Sequence, residues 1–310
     1  MYTDDPCNDF DISCDGVAFA SRNLRERGPD GSPATSIYFS RLDSFALPPD
    51  AIPRQIFIPT SFEPASITNI RFTPDASAIG FLYTAHEDIY NTRLYLSSVE
   101  SLDAFDIFSL VTCVDDDDPN PPDAFEFAGS SDSVILRGHH LGHQALSHLM
   151  LQDGARPKVF FAGSSCSDFY PLKDGDWENL LTTSSNFIDS SLWQIVQVSD
   201  ASIVRTISSA TKSGAKFGLS SNMVTDFWYE GANGYFIHSW LILPQDFDEN
   251  SKYPWVMVPH GSPGMAWNNE WSTMVCAAVQ SVHQSVYAKI VCTIDQLCRL
   301  GDTGIRYCIA

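Results

Sequence analysis

One pattern in this 310-residue sequence recurs four times and narrows the fold more than any other feature. A short alternating strand runs into an acidic turn and a second strand: 10–20 around Asp15 and Gly16, 70–81 around Asp75, 125–136 around Asp132, and 169–181 around Asp174 and Gly175. A further alternating segment follows each, at 36–43, 93–100, 146–153 and 192–200. Period-2 patterning between Asp/Gly turns signals antiparallel hairpins. Units of about 40–50 residues holding several strands are what a β-propeller blade requires, and the extra length of the first two units falls in polar loops such as 22–34 and 85–91. A β-sandwich also uses short strands, but it does not generate the repeated order of strand, acidic turn, strand, strand. The pattern predicts a mainly β chain that begins as a partial β-propeller of about four blades.

The register ends between Lys212 and Gly234. A hairpin follows, with strands predicted at 226–230 and 235–243 around the Asn233-Gly234 turn signal. After the polar stretch 244–252, the apolar run 255–258 reads as a buried strand. It stops at Pro259 and gives way to a tight loop, His260-Gly261-Ser262-Pro263-Gly264. Two hairpin strands, then a buried strand ending in an HG loop, is how an α/β-hydrolase domain opens. In such enzymes the loop supplies backbone N–H groups to an oxyanion hole.

Phe227-Trp228-Tyr229 with Gly231, then His238, Trp240, Pro244, Tyr253-Pro254, His260-Gly261-Ser262-Pro263, Ala266-Trp267 and Trp271-Ser272 resemble the prolyl oligopeptidase family of serine peptidases. The similarity runs over about residues 10–273 and is most specific in 226–272. It implies an N-terminal propeller over a C-terminal α/β-hydrolase domain, peptide substrates, and release of N-terminal dipeptides. That chemistry uses a Ser nucleophile activated by His, with an acyl-enzyme then hydrolysed. Relatives of this kind are typically secreted. The resemblance makes His260, Gly261, Ser262 and Pro263 the oxyanion-loop candidates, with His260 shaping the loop rather than acting as a base.

Two departures matter. Ser262 stands where the family has a second Gly, which gives up backbone freedom. No G-x-S-x-G occurs anywhere; Gly163-Ser164-Ser165-Cys166-Ser167 ends in Ser. The nucleophile and its Asp and His partners are therefore expected to be missing, no catalytic residue is assigned, and the chain is expected to be inactive and truncated at both ends. The alternative is a non-catalytic propeller binding module or a fragment that does not fold stably. The reading divides the chain into a partial propeller (1–224), the start of a hydrolase domain (225–273) and a divergent tail (274–310). The tail holds Cys276, Cys292, Cys298 and Cys308, a composition shift that suggests a change of reading frame or splicing.

Charge and motifs exclude several other classes. With 18 Lys+Arg against 38 Asp+Glu, the net charge of −20 opposes nucleic acid and anionic membrane as partners. The N-terminus has no basic start and no apolar stretch, so no signal peptide is expected, and no run is long enough to span a bilayer. Localisation and oligomeric state stay open. The 8 cysteines include no C-x-x-C pair. His139, His140, His143 and His148 are expected in a surface hairpin turn between blade strands rather than around a metal. Asp115-Asp116-Asp117-Asp118 lacks the ligand spacing of a calcium loop and reads as solvated. Ser164, Ser165, Cys166 and Ser167 read as a polar turn, Glu178 as a blade-turn residue, and His283 receives no role. No metal and no cofactor is expected.

Overall fold

The computed structural model describes residues 7–27, 33–42, 52–59, 65–86, 88, 91–108, 121–152, 155–172, 178–231, 236–245, 247–253, 255–260, 266–272 and 288–293. Each repeat of the sequence is a four-stranded antiparallel meander. The first holds β1 (Cys7–Ile12), β2 (Gly16–Arg27), β3 (Pro33–Arg41) and β4 (Arg54–Gln55). The second holds β5 (Ala65–Phe72), β6 (Ala78–Ala85), β7 (Arg93–Ser98) and β8 (Ala104–Phe108). The third holds β9 (Pro122–Phe127), β10 (Ser133–His140), β11 (His143–Met150) and β12 (Lys158–Phe161). The fourth holds β13 (Ser165–Pro171), β14 (Asn179–Ser185), β15 (Leu192–Gln197) and β16 (Ile203–Ser209). In the first three the acidic turn separates the first strand from the second, as the spacing predicts; Asp174 and Gly175 of the fourth lie outside the described residues. These are blade-type sheets, and the fold class is that of propeller blades followed by the opening strands of a hydrolase sheet.

The turn acid has a local cause. Asp75 Oδ1 accepts the Ser77 N–H at 3.1 Å and the Ser77 hydroxyl at 2.8 Å, closing an Asx-type turn. Hydrogen bonds from Thr73 and Ser77 hold its carboxyl well below the usual carboxylate range.

The chain forms two compact units, Met1–His139 with Leu146–Phe160 and Pro171–Glu178, and His140–Ala145 with Phe161–Tyr170 and Asn179–Ala310. In the first, β6 explains why one strand departs from simple alternation: five of its residues in succession are buried. Ile79, Phe81 and Tyr83 join a core with Ala18, Ala20, Ile37 and Phe39, so small alanines of β2 make room for Phe81. The opposite face puts Leu82 into a second cluster with Phe125, Phe127, Val134 and Leu136. Gly80 is needed there, because a Cβ would stand 2.8 Å from Phe125 Cζ. A strand covered on both faces loses the polar half of its pattern.

Polar side chains brace the first strands of successive sheets. Asp9 Oδ2 accepts the Ile70 N–H at 3.2 Å and Asp11 Oδ2 the Phe72 N–H at 2.7 Å. Asn69 repeats the device one blade on, accepting the Phe125 N–H at 2.6 Å and donating to the Phe125 carbonyl at 3.2 Å. Arg71 Nε then meets Glu126 Oε1 at 2.6 Å. Burial pushes the Glu126 carboxyl up against the opposing pull of Arg71.

The second unit closes with a mixed sheet of β17 (Val224–Glu230), β18 (Phe236–Ile242), β19 (Trp255–Pro259) and β20 (Ala288–Thr293). Its spatial order is β17-β18-β20-β19. The predicted hairpin is present, and so is the strand expected at 255–258, but Met257 on it is exposed and Val258 only half-buried rather than buried. The Asn233-Gly234 turn lies outside the described residues. The sequence reading assigned no element to 274–310; the structure places a strand there. It runs antiparallel to β18 and parallel to β19.

Candidate functional site

Strand order defines where a site can form. β19 and β20 are parallel neighbours in the register Trp255↔Ala288 to Pro259↔Cys292, so the chain between them must cross over the sheet. β20 enters between β18 and β19, and the direction of strand succession reverses at that point. In open sheets of this kind ligands sit outside the carboxyl ends of parallel strands, at such a reversal. His260 is the first residue beyond the carboxyl end of β19 and is half-buried. Gly261, Ser262 and Pro263 lie outside the described residues.

The chain is described again at 266–272, and this segment is fastened by backbone groups. Asn269 donates its N–H to the Gly142 carbonyl at 2.7 Å and accepts the Ser165 N–H at 3.2 Å. Its side-chain Oδ1 accepts the Phe187 N–H at 3.1 Å. The Trp240 indole donates to the Trp267 carbonyl at 2.9 Å, and the Trp271 N–H donates to Ser185 Oγ at 3.2 Å. Trp267 and Trp271 pack on Phe187, Leu219, Met223, Trp240 and Ile242. Glu270 lies between these anchors; burial raises its carboxyl above the ordinary range.

Beneath the segment lies His238 on β18, 0% exposed. Its Nε2 is 3.1 Å from Asp226 Oδ2 across the β17–β18 pair. The imidazole lies 4.8 Å from the Trp228 ring and 5.1 Å from the Trp240 ring. Gly142 closes over it: a Cβ there would be 2.5 Å from His238 Cε1. Leu141 and Gly142 take φ of 46° and 76°, the two left-handed residues of a tight hairpin turn whose twist suits the flanking strands.

That turn corrects one expectation. The hairpin is where the histidine run places it, with His139 and His140 ending β10 and His143 opening β11, but only half of its two-residue tip is at the surface: Leu141 is exposed and Gly142 is buried. A tip without a side chain can slide under the segment 266–272 and onto two aromatic rings. His148 lies inside β11, and burial lowers its imidazole pKa. Among the described residues no three of His, Cys, Asp and Glu converge as metal ligands. A second correction concerns Ser164, Ser165, Cys166 and Ser167. From Ser165 onward they belong to β13 rather than a polar turn, and Ser164, Ser165 and Cys166 are buried. Glu178 is exposed beside β14. Asp115-Asp116-Asp117-Asp118 and His283 lie outside the described residues.

Sequence reasoning missed Asp189, 1% exposed in the turn between β14 and β15. It accepts the Ser209 hydroxyl, the Ser191 N–H at 3.2 Å, the Thr211 N–H at 3.3 Å and the Ser213 N–H at 3.2 Å. Burial alone would raise its carboxyl; the donors outweigh it and hold the group below the ordinary range. Lys212, Ser213 and Gly214 all have positive φ, a backbone curl that turns N–H groups toward an anion.

No family model matches the chain. It is 28% identical over 239 residues to "Probable dipeptidyl-peptidase 5" of Aspergillus niger, covering 75% of this chain and 30% of that protein. It is also 28% identical over 274 residues to "Dipeptidyl-peptidase 5" of Aspergillus fumigatus, covering 86% of this chain and 36% of that protein. The chain thus spans about a third of the length of these curated relatives. Its fold is shared with oligopeptidase B from Leishmania major, at TM-score 0.56 and 10% identity over 93% of this chain and 38% of that one. Porphyromonas gingivalis dipeptidyl peptidase 4 aligns at TM-score 0.51 and 11% identity over 91% of this chain and 49% of that one.

Proposed function

We propose, from the likeness to the prolyl oligopeptidase family and to its dipeptidyl-peptidase 5 members in particular, that this chain carries the blades and the oxyanion-side opening of a serine dipeptidyl peptidase and does not itself hydrolyse peptides. The observation that carries the reading is the β17-β18-β20-β19 order, with His260 at the carboxyl end of β19. A tetrahedral intermediate needs backbone N–H donors beside such a strand end, and His260, Gly261, Ser262 and Pro263 are the residues proposed to form that loop. An oxyanion hole without a nucleophile has no charge to stabilise, and the sequence holds no G-x-S-x-G. The blades (1–224) would restrict entry to short or unfolded peptides, and the hydrolase opening would begin at 225. The purified 310-residue chain is expected to release no chromophore from dipeptidyl chromogenic substrates. Turnover abolished by a serine-reactive inhibitor would refute the inactive reading.

A further inference from the structure

We propose that Asn269 is a positioning residue: it clamps segment 266–272 against the β10–β11 turn, the start of β13 and the turn after β14, and thereby sets where the chain returns from the loop that begins at His260. The use assigned to that loop rests on the hydrolase reading above; the clamp does not.

The geometry is specific to this residue. Asn269 engages three segments with three different atoms: its N–H meets Gly142, its carbonyl meets Ser165 and its Oδ1 meets Phe187. The first two contacts are open to any residue with a free N–H. The third needs a side-chain acceptor one methylene from the backbone, which Asn and Asp provide and Gln, Ala and Leu do not. Ser165 is itself shared, because its hydroxyl accepts the Gln144 N–H at 3.2 Å. Gly142 is held in turn by His238 and Trp240 beneath it. The segment is thus fixed to strands and turns rather than to other loops. Oxyanion donors act only when their backbone is pre-set, so an anchor just downstream of the loop is where a positioning residue is needed.

The test is amide hydrogen exchange on the full chain, comparing wild type with Asn269→Ala and Asn269→Asp. The Trp271 N–H is the remote reporter, since its acceptor is Ser185 and not Asn269. Asn269→Ala should speed exchange at both Phe187 and Trp271 at least tenfold and leave β6 and β7 unchanged. Asn269→Asp keeps the acceptor and should return both to within about threefold of wild type. Trp271 exchange unchanged in Asn269→Ala, or no rescue by Asn269→Asp, overturns the proposal. If Asn269→Ala does not fold, Ser185→Ala decides. It should loosen Trp271 while Phe187 stays protected; loss at both sites overturns the independent anchor. None of these readouts depends on peptide turnover, so a failed clamp and a failed peptidase reading are separate results.

Discussion

The two units hold themselves together by different means. The first is a two-sided apolar stack in which Phe81, Ile79 and Tyr83 meet alanines and Phe39, with Leu82 on the reverse face against Phe125. Its polar braces, such as Arg71 with Glu126, are only partly buried. The second unit has a smaller apolar cluster around Trp240. It relies on polar hubs, the buried Asp189 and the half-buried Asn269, whose oxygens collect N–H groups from distant segments. Sheet-on-sheet packing tolerates volume-conserving swaps but loses most when a large ring is deleted, whereas a hub that loses an acceptor leaves a buried donor with its desolvation penalty even when size is kept. The repetitive region is therefore built from pattern, and the region around the candidate site from particular atoms.

That contrast predicts a ranked series. The largest loss is expected for Phe81→Ala, where a fully buried ring between two sheets is removed: about 3–5 kcal/mol, read from urea denaturation. A loss below about 1 kcal/mol would mean the first unit is not organised around this core.

Next comes Asp189→Asn, which keeps size but halves the acceptor capacity, at about 1–3 kcal/mol near neutral pH. The sign of its pH dependence is fixed by a folded carboxyl held below its unfolded value. The stabilisation is present above the unfolded value of about 3.9 and fades as pH falls through the folded one. The gap between wild type and variant should close below about pH 4; a gap that persists in acid would place the stabilisation in shape rather than charge.

The smallest effect has the opposite sign. Burial raises the Glu270 carboxyl, so its contribution is present below the unfolded value of about 4.3 and is lost as pH rises through the folded one. Glu270→Gln should stabilise the fold slightly at pH 7, by less than about 0.5 kcal/mol for a half-exposed group, read from urea denaturation, and make no difference near pH 4. A destabilised variant at pH 7 would show that the carboxylate is paired.

Much of the fold was legible in the sequence for the reason that makes the first unit robust. Alternation and Asp/Gly turns are local, and the first three strands of the first three blades announced themselves through them; in the fourth, the start of β13 was misread as a polar turn. The short outer strands did not: β4 has 2 residues, too few to show a period. β20 was invisible because its neighbours are far away in sequence, and a parallel partner leaves no turn signal beside it. At the candidate site the HG loop was readable as a motif. Asn269 and Asp189 were not, since their role lies in which distant N–H groups reach them. The buried Gly142 turn was half legible: the two-residue spacing marks a hairpin, but nothing local shows that an imidazole waits beneath it.

The claim on which the rest depends is the strand order of the closing sheet, and cysteine trapping tests it directly. Ser239 and Cys292 are register partners across β18 and β20. A Ser239→Cys variant, mildly oxidised and digested, should give a peptide cross-linked by a disulfide between positions 239 and 292 as the main new species in mass spectra. A folded variant in which the introduced thiol stays free or bonds to a different cysteine, with 288–293 exchanging its amides as fast as an unpaired chain, would contradict the account.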